Sequence, residues 1–534
     1  MHVRTPNIIL GAIRLKALQI IMLSATLVFP SVSSGQLESA LPPTDSGEAT
    51  LEALVDVLGT GDQAAIERFA GKYFAPKTLQ EFPAADVSAW LARTYTDTGG
   101  LAIEGIAGET PDWVQAEANA RITGIHYCLT LRRKTEGGRT FITDFDARDL
   151  YPAGPQLQAP TPRELKSSLE QLIDAYVARG LFSGVVLMAK DDRVFFRKTY
   201  GKANAAGDVP ITLNTRLNIA SIGKMFTATA ILQLVESGKL SLDDRLEKVL
   251  PDYSNEKVRK QVTIRQLLTH TSGLGPQDYY DHPDYPAQRD KIRTVADLMR
   301  FAVATPLGAE PGKYLYSNSG YIILGAVIER LSGQSFYEYL QRHIFKPAGM
   351  KRSLYAPGDL LGLNTAAALT NFHERDKTPG KFIYRLGPLL ESQVGMGGPF
   401  GGAWVTADDL FAFSKALRGG KLVKPETFRL MTTPQGPTGA GAPGLTGQAQ
   451  PGLGVEVVTR NGHTFFGHTG GDFGIASFLY WYPDSGYTTI LLSNRDPRAA
   501  RIVLNVTRAV LTRQTIGGAW PAPQTCIPPG PQEQ

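Results

Sequence analysis

The stretch "NIASIGKMFTA" (218–228) brings a hydroxyl and an amine together. Ser221 and Lys224 stand three residues apart at the start of an apolar, helix-like run. Residues three apart lie on the same face of a helix, so the amine could sit beside the hydroxyl. A serine hydroxyl becomes a good nucleophile when a neighbouring base takes its proton, and burial lowers the pKa of a lysine towards that role. The competing interpretation is a plain helix start with a solvated lysine.

A second pair, Ser254 and Lys257, has the same spacing, so spacing alone does not select the nucleophile. Ser254 stands between a Pro-Asp turn and a charged run, which is typical of solvated surface. Ser221 instead precedes "MFTATAILQLVESG", which is apolar on nearly all sides and stops at Gly238. A helix of this kind is buried, and its positive end would lie behind the serine hydroxyl. The context therefore favours Ser221.

Two more motifs follow along the chain. "YSN" contains Tyr316 and Asn318, and "HTG" consists of His468, Thr469 and Gly470. "SIGK", "YSN" and "HTG", in this order, resemble the three motifs of the serine β-lactamase and penicillin-binding-protein superfamily. The flanks "VTIRQLLTHTSGLG", "PGKYLYSNSGYIILG" and "GGAWVTADDLFAFSKAL" resemble its class C β-lactamase, esterase and D,D-peptidase branch.

This resemblance implies an acyl-enzyme on Ser221. Tyr316 would share the proton with Ser221 and Lys224 and deliver it to the leaving group, and either Lys224 or Tyr316 could be the general base. Asn318 would hold both Lys224 and a substrate carbonyl or amide. The backbone N–H groups of Ser221 and Gly471 would form the oxyanion hole. The competing interpretations are a core tyrosine at 316 and a turn-forming asparagine at 318.

The third motif departs from the commoner lysine form, because no K-T-G or K-S-G occurs and His468 stands where a permanent cation is usual. A histidine can lose its charge near neutral pH, so His468 would be a pH-dependent anchor for a substrate carboxylate. Thr469 and Gly470 complete the predicted substrate-binding strand. This favours a peptidase or esterase over an efficient β-lactamase. The alternative is a histidine that only supports strand packing.

Other residues have simpler interpretations. His270, in "HTSG", is interpreted as structural, and Tyr279 and Tyr280 as either cleft-lining or surface-loop aromatics. His343 and His373 lack metal-ligand spacing, and the chain has no H-E-x-x-H or cysteine cluster. A G-x-S-x-G elbow and a G-x-x-x-x-G-K-[ST] phosphate loop are also absent from the sequence. No metal or cofactor is predicted.

The N-terminus reads as a secretory signal peptide (1–35), with basic residues, an apolar run and small residues ending at Gly35. An uncleaved membrane anchor is the alternative interpretation. The formal charge of +5 falls to about +2 without the basic residues of this leader, which excludes a strongly basic nucleic-acid surface. We predict a secreted or periplasmic protein with no nucleic-acid partner and no stable membrane insertion after cleavage. The sequence does not indicate an oligomeric state.

The only cysteines, Cys128 and Cys526, are compatible with one disulfide in an oxidising compartment. Cys526 lies in a Pro-rich tail (513–534), so bridging would require that tail to fold back.

Composition shifts divide the remaining chain, and the predicted fold class is α+β. A small accessory domain (41–150), analogous to cystatin-like or NTF2-like folds, has helices first and strands after them. A Pro-rich linker (151–164) leads to the second domain (165–512), whose two ends should complete one antiparallel sheet around a helical insertion. The superfamily resemblance covers this domain and implies a β-lactamase-like (transpeptidase-like) fold, with a helix-flanked antiparallel sheet and an all-helical subdomain.

The predicted function is a serine hydrolase that cleaves small esters or amides through Ser221. D-amino-acid peptides are candidate substrates, and β-lactams are a further candidate class. The rival is a penicillin-binding or sensor-type protein that is acylated but turns over little.

Overall fold

Four helices followed by a four-stranded antiparallel sheet make up the N-terminal part of the described chain (46–150). The computed structural model describes residues 46–121, 126–150, 182–275, 278–357, 364–374, 384–391, 395–437, 448–460, 462–496 and 526, with isolated residues between 163 and 178 and between 500 and 511. The helices are α1 (Gly47–Gly59), α2 (Gln63–Tyr73), α3 (Pro76–Glu81) and α4 (Ala84–Thr98). The strands are β1 (Leu101–Thr110), β2 (Trp113–Ala120), β3 (His126–Glu136) and β4 (Arg139–Leu150), paired in this order.

Local signals explain most of these elements. The side chain of Ser46 accepts from Ala49 N–H at the start of α1, and that of Asp62 accepts from two N–H groups at the start of α2. The sequence pattern does not predict β2, because the alanine, glutamate and glutamine residues of "WVQAEANA" favour a helix. Pairing with β1 on one side and β3 on the other overrides this weak local preference.

Seven antiparallel strands form the main sheet, in the order β11-β12-β13-β14-β15-β5-β6. The strands after β4 are β5 (Gly184–Lys190), β6 (Arg193–Tyr200), β7 (Leu217–Asn218), β8 (Leu369–Glu374), β9 (Tyr384–Glu391), β10 (Trp404–Val405), β11 (Gln448–Pro451), β12 (Glu456–Arg460), β13 (His463–Asp472), β14 (Ile475–Tyr482) and β15 (Tyr487–Ser493). β15 pairs with β5, with Leu492 opposite Val185. The sheet is therefore completed by strands from both ends of the domain, as predicted.

A helical region separates β6 from β11. Its helices are α5 (Lys224–Glu236), α6 (Leu246–Val249), α7 (Glu256–Gln261), α8 (Ile264–Leu268), α9 (Tyr285–Gln288), α10 (Val295–Ala302), α11 (Asn318–Ser332), α12 (Phe336–Leu340), α13 (Lys346–Ala348), α14 (Ala407–Arg418) and α15 (Pro425–Met431). Helix α5 is buried on nearly all sides, as its apolar pattern predicts. The ring of Phe226 on α5 lies 5.2 Å from Phe345 and 4.7 Å from Phe413, centroid to centroid. This helix therefore forms the centre of the core.

Several segments differ from the expected helical middle. Two small sheets, β7 with β10 and β8 with β9, interrupt it. The Gly- and Pro-rich segment 434–452 contributes β11 to the edge of the main sheet. Every described residue between 163 and 177 is helical, and so is every described residue between 500 and 511.

The predicted leader, its cleavage site and most of the linker lie outside the described residues. In the part of the chain that the structure describes, no helix is both long and apolar enough to cross a membrane. The tail is described only at Cys526, which forms a disulfide with Cys128 on β3, with 5.3 Å between the Cα atoms. Cys526 of the tail is therefore joined to the N-terminal part of the protein.

Candidate active site

Ser221 lies on a short 3-10 turn (220–223) that immediately precedes α5. The serine thus lies directly before the buried helix. Ala220 has φ of +41°, a left-handed conformation that is strained for a residue with a side chain. Its N–H donates to Asn218 Oδ1 at 2.9 Å, and its carbonyl oxygen accepts from Gly402 N–H at 3.0 Å. Hydrogen bonds on both sides hold the strained residue beside the serine.

Ser221, Lys224 and Tyr316 converge on one point. Lys224 Nζ lies 3.1 Å from Ser221 Oγ, and the Tyr316 hydroxyl donates to the same oxygen at 2.9 Å. Tyr316 comes from the loop directly before α11, 95 positions further along the chain. The structure thus brings three sequence-predicted site residues within hydrogen-bonding distance.

Burial sets the chemistry of Lys224. Its side chain is fully buried, and desolvation lowers its pKa to about 7 against a smaller, opposing effect of the Asp278 carboxylate. Nζ also lies 2.6 Å from Asn318 Oδ1 and 2.6 Å from the carbonyl oxygen of Phe400. Both oxygens only accept hydrogen bonds, so a neutral amine must turn its two N–H groups towards them. Its lone pair then faces Ser221 Oγ.

Tyr316 remains a protonated phenol at neutral pH. Burial raises its pKa well above the usual value, and the hydrogen bond to Ser221 offsets this only in part. The phenol ring stacks on His270, with 4.1 Å between centroids. His270 Nδ1 accepts from Ser317 N–H at 3.1 Å, and burial above all lowers the imidazole pKa well below its usual value. His270 is therefore a neutral support for the phenol, which agrees with its structural interpretation.

A buried carboxylate fixes the position of Asn318, the first residue of α11. Asp278 Oδ2 accepts from Asn318 N–H at 2.6 Å, and Oδ1 accepts from Ser319 N–H at 2.7 Å. Free N–H groups and the helix dipole make a helix N-terminus a favourable place for negative charge. Asn318 is thus part of a helix start rather than an open turn, and its side-chain oxygen points at Lys224.

His468 is buried on β13. Desolvation lowers its pKa, the Glu456 carboxylate opposes this, and the charge of Lys224 adds to it. Nδ1 lies 2.5 Å from the carbonyl oxygen of Thr469, which can only accept, so the proton of the neutral ring is on Nδ1. Nε2 of the neutral ring is then an acceptor, which repels a carboxylate. Because burial lowers the imidazole pKa from its usual value of 6.5, the cationic form of His468 would predominate only at acidic pH.

Glu456 on β12 holds the strand that carries the third motif. Its Oε1 accepts from the Thr469 hydroxyl at 2.8 Å, and its Oε2 accepts from the Tyr480 hydroxyl. A small cavity lies next to it, lined among others by His270, Tyr314, Tyr316, Glu456 and His468. The Thr469 hydroxyl is therefore held by a buried carboxylate.

Glycine at position 470 lets β13 approach the serine turn. A Cβ atom at Gly470 would stand 2.2 Å from the carbonyl oxygen of Ile219 and 2.2 Å from Ser477 Oγ. Gly471 follows on the same strand, where it pairs with Ala476. β13 thus runs beside the turn that carries the serine, which is compatible with the predicted oxyanion hole.

Three site groups are not predicted from the sequence: the carboxylates of Asp278 and Glu456, and the carbonyl of Phe400. A backbone carbonyl has no sequence signature, and "PQDYYD" has no pattern that separates Asp278 from ordinary loop acids. Glu456 did have a signal, because it is a single charged residue inside the apolar strand "GVEVVT".

The residues predicted to be uninvolved lie elsewhere or have structural partners. Ser254 and Lys257 are both exposed, and Asn255 between them caps α7 by accepting from Val258 N–H at 3.2 Å. Tyr279 is buried against Phe400, with 4.7 Å between ring centroids, whereas Tyr280 is exposed. The side chain of His373 lies outside the described residues.

Fold and site together define a β-lactamase-like protein with a serine, a lysine and a tyrosine clustered between a sheet and a helical region. The chain belongs to the Beta-lactamase family, whose model matches residues 169–513. This confirms the predicted superfamily and fold class, and the predicted hydrolase class at the level of the family.

Individual relatives are similar in sequence to part of this chain. Penicillin-binding protein 4 of Amycolatopsis lactamdurans is 29% identical over 306 residues, which are 54% of this chain and 74% of that protein. Two curated relatives from Bacillus subtilis (strain 168) are matched over only 62% and 41% of their own length.

Solved structures show the same fold. The penicillin binding protein from Bacillus halodurans is 31% identical with a TM-score of 0.54, over 64% of this chain and 98% of its own. The D-stereospecific amidohydrolase from Streptomyces sp. is 26% identical with a TM-score of 0.50, over 64% and 98%. The D-amino acid amidase from Ochrobactrum anthropi SV3, at 23% identity and a TM-score of 0.53 over 65% and 98%, is a likeness of fold alone.

Proposed function

We propose that this chain is a serine hydrolase that cleaves small esters or amides through an acyl-enzyme on Ser221. The observation that carries the proposal is the convergence of Lys224 Nζ and the Tyr316 hydroxyl on Ser221 Oγ, at 3.1 and 2.9 Å. The family assignment and the likeness to a D-stereospecific amidohydrolase support the reaction class.

In the acylation step, the neutral amine of Lys224 takes the proton of Ser221 while Oγ attacks the substrate carbonyl carbon. The negative charge that develops on the carbonyl oxygen is stabilised by the N–H groups of Ser221 and Gly471. Tyr316 gives its proton to the leaving alcohol or amine as the scissile bond breaks, and the ammonium of Lys224 then returns a proton to the phenolate. Lys224 is the general base of this scheme, because the raised pKa of Tyr316 keeps the phenol protonated. Water releases the acyl group by the reverse sequence.

D-amino-acid peptides and esters are the proposed substrates, with β-lactams as a further class. This proposal is supported by the similarity of the chain to relatives named penicillin-binding proteins and to a D-stereospecific amidohydrolase. A neutral His468 is a weak anchor for a carboxylate, so uncharged esters and amides should be turned over at least as well as acids at pH 7. This argues for a peptidase or esterase over an efficient β-lactamase.

The second candidate is a penicillin-binding or sensor-type protein that is acylated with little turnover, and the relatives named penicillin-binding proteins favour it. The test measures turnover by wild type, Ser221→Ala and the control variant Ser254→Ala, which changes the serine of the second Ser-x-x-Lys pair. The substrates are a nitrophenyl ester, a D-amino-acid amide and a chromogenic cephalosporin. Turnover that only Ser221→Ala abolishes supports the hydrolase. Stable labelling by a fluorescent penicillin without turnover supports the sensor, and turnover that survives in Ser221→Ala contradicts both.

We also propose that the protein is exported to the periplasm or the extracellular medium. The leader-like N-terminus and the Cys128–Cys526 disulfide support this, because such bonds persist in oxidising compartments. N-terminal sequencing of protein from the periplasm or medium should find a start near Gln36. An intact leader on cytoplasmic protein would contradict the proposal.

A further inference from the structure

One buried carboxylate joins the N-terminal part of the protein to the catalytic region. Asp496 follows β15, and its Oδ2 lies 3.3 Å from Arg93 Nη1 on helix α4. Its other oxygen, Oδ1, accepts from Gly474 N–H at 2.9 Å. Both charged side chains are only 8% exposed. Asp496 therefore links α4 to the β13–β14 turn through two different oxygens.

The turn held by Asp496 has little freedom of its own. It consists of Phe473 and Gly474, because Asp472 and Ile475 form the last pair between β13 and β14. Gly474 has φ of +67°, and a Cβ atom there would stand 2.3 Å from the backbone nitrogen of Leu369. Gly471, the proposed oxyanion-hole residue, lies on β13 just before this turn. The position of the turn thus sets the position of that strand end.

The ion pair is part of a larger interface. Helix α4 lies against strand β9, and the N–H of Leu369 on the neighbouring strand β8 donates to the carbonyl oxygen of Asn494 at 2.9 Å. The Cys128–Cys526 disulfide adds a covalent link between the tail and β3. α4 is therefore packed against the part of the catalytic region that contains Asp496.

The Arg93–Asp496 ion pair should affect the positions of its partners more than the stability of the protein. Removing two charges from water carries a large desolvation penalty, so a buried ion pair is often no more stabilising than an apolar pair. Its directional hydrogen bonds nevertheless fix both partners, and the loss of one partner leaves an uncompensated buried charge. In a variant without Arg93, the Asp496 carboxylate loses the guanidinium that it contacts on α4, and its hydrogen bond with the Gly474 N–H should become weaker.

We propose that Arg93 is a positioning residue for the hydrolase: it holds Asp496, which holds the β13–β14 turn and thereby the backbone of Gly471. The inference rests on the proposed function, because its catalytic consequence requires turnover through the oxyanion hole. The N-terminal part then contributes to the catalytic geometry and is more than a separate binding module.

The test is Arg93→Met in the full-length protein, with ester kinetics and amide hydrogen exchange across residues 470–476. We expect kcat to fall about tenfold with a smaller change in KM. The reason is that a displaced oxyanion-hole N–H group stabilises the transition state less, whereas it contributes little to binding of the substrate. Exchange at the Gly474 amide should become faster. The double variant Arg93→Met/Asp496→Asn should recover part of both effects, since it removes the carboxylate charge that Arg93 no longer offsets and keeps an oxygen for the Gly474 N–H.

Arg133→Met is the matched control. Arg133 is also buried in the N-terminal part, and its Nη2 lies 3.0 Å from Glu109 Oε1, but it pairs within that part only. The control should lower the melting temperature and leave kcat per folded molecule and exchange at the turn unchanged. Wild-type kcat and exchange in Arg93→Met, or an equal fall of kcat in Arg133→Met, would overturn the inference. If the wild type has no ester turnover, the proposed function fails, and exchange at Gly474 still tests the link.

Discussion

The imidazole of His270 stacks on the phenol of Tyr316, with 4.1 Å between the ring centroids and 25° between the ring planes. His270 also accepts the Ser317 N–H and has φ of +56°, so its backbone is as constrained as its ring. Tyr316, which donates to Ser221, therefore depends for its orientation on a residue that touches no substrate in the proposed mechanism.

We predict that His270→Ala lowers kcat more than it changes KM, because the unsupported phenol no longer points at Ser221. The unpaired Ser317 N–H should lower the free energy of unfolding by about 1–3 kcal/mol. His343→Ala is the control, since His343 also packs on a tyrosine ring, Tyr339 at 4.4 Å, away from the serine. Kinetics and thermal unfolding of both variants check this, and an equal loss of kcat in His343→Ala would contradict it.

The buried amine of Lys224 predicts the acid side of the pH profile. Its pKa is lowered to about 7, and the neutral form is the proposed base, so kcat/KM should rise as pH increases through about 7. Lys224→Met should abolish turnover, because Tyr316, the other group beside Ser221 Oγ, has a raised pKa and stays protonated. A profile that stays flat from pH 5.5 to 8.5 would exclude Lys224 as the base.

The lowered pKa of Lys224 also makes the stability of the protein depend on pH. The folded protein holds Lys224 neutral above about pH 7, whereas the unfolded chain protonates it up to its ordinary value of 10.5. The unfolded state therefore binds more protons in this window, and this residue should make stability rise with pH between about 7 and 10.5. Urea unfolding of wild type and Lys224→Met checks this, and the wild type should show the steeper rise.

Asp278 accepts hydrogen bonds from the start of α11 and also affects the pKa of Lys224. Its carboxylate raises the pKa of Lys224, so Asp278→Asn should move the acid limb of kcat/KM to lower pH. The loss of charge at the start of α11 should also lower the free energy of unfolding by about 1–3 kcal/mol. Asp281→Asn removes a charge from the same loop but keeps the Asp278 carboxylate and an oxygen for the Asp278 N–H, so it should leave the acid limb at about pH 7. If the acid limb of kcat/KM stays at about pH 7 in Asp278→Asn, the charge of the Asp278 carboxylate does not affect the pKa of Lys224.

Much of this architecture could be predicted because its signals are local. The apolar pattern of α5, the alternating strands and the order of the three motifs predicted the sheet, the buried helix and the residues Ser221, Lys224 and Tyr316. What the sequence did not predict depends on distant partners. β2 forms only because two neighbours pair with it, and the carbonyl of Phe400 reaches Lys224 from 176 residues away.

His468 shows what a local pattern leaves out. The motif predicts a switchable cation, because a histidine replaces the usual lysine. The structure adds burial and the Nδ1–H bond to Thr469, which together favour the neutral ring. Both follow from the packing of β13 between its neighbours, which the motif does not report.

We therefore expect His468 to discriminate substrate charge only under acidic conditions. The ratio of kcat/KM for a D-alanyl dipeptide acid to that for its amide should fall as pH rises towards 6.5 and stay constant from pH 7 to 8, because burial lowers the imidazole pKa. Glu456→Gln should move this fall to still lower pH, since the Glu456 carboxylate raises the pKa of His468. His468→Lys should raise the ratio at pH 7. A ratio that changes between pH 7 and 8 in the wild type would show that the imidazole titrates there, and a pH-independent ratio would remove His468 from carboxylate recognition.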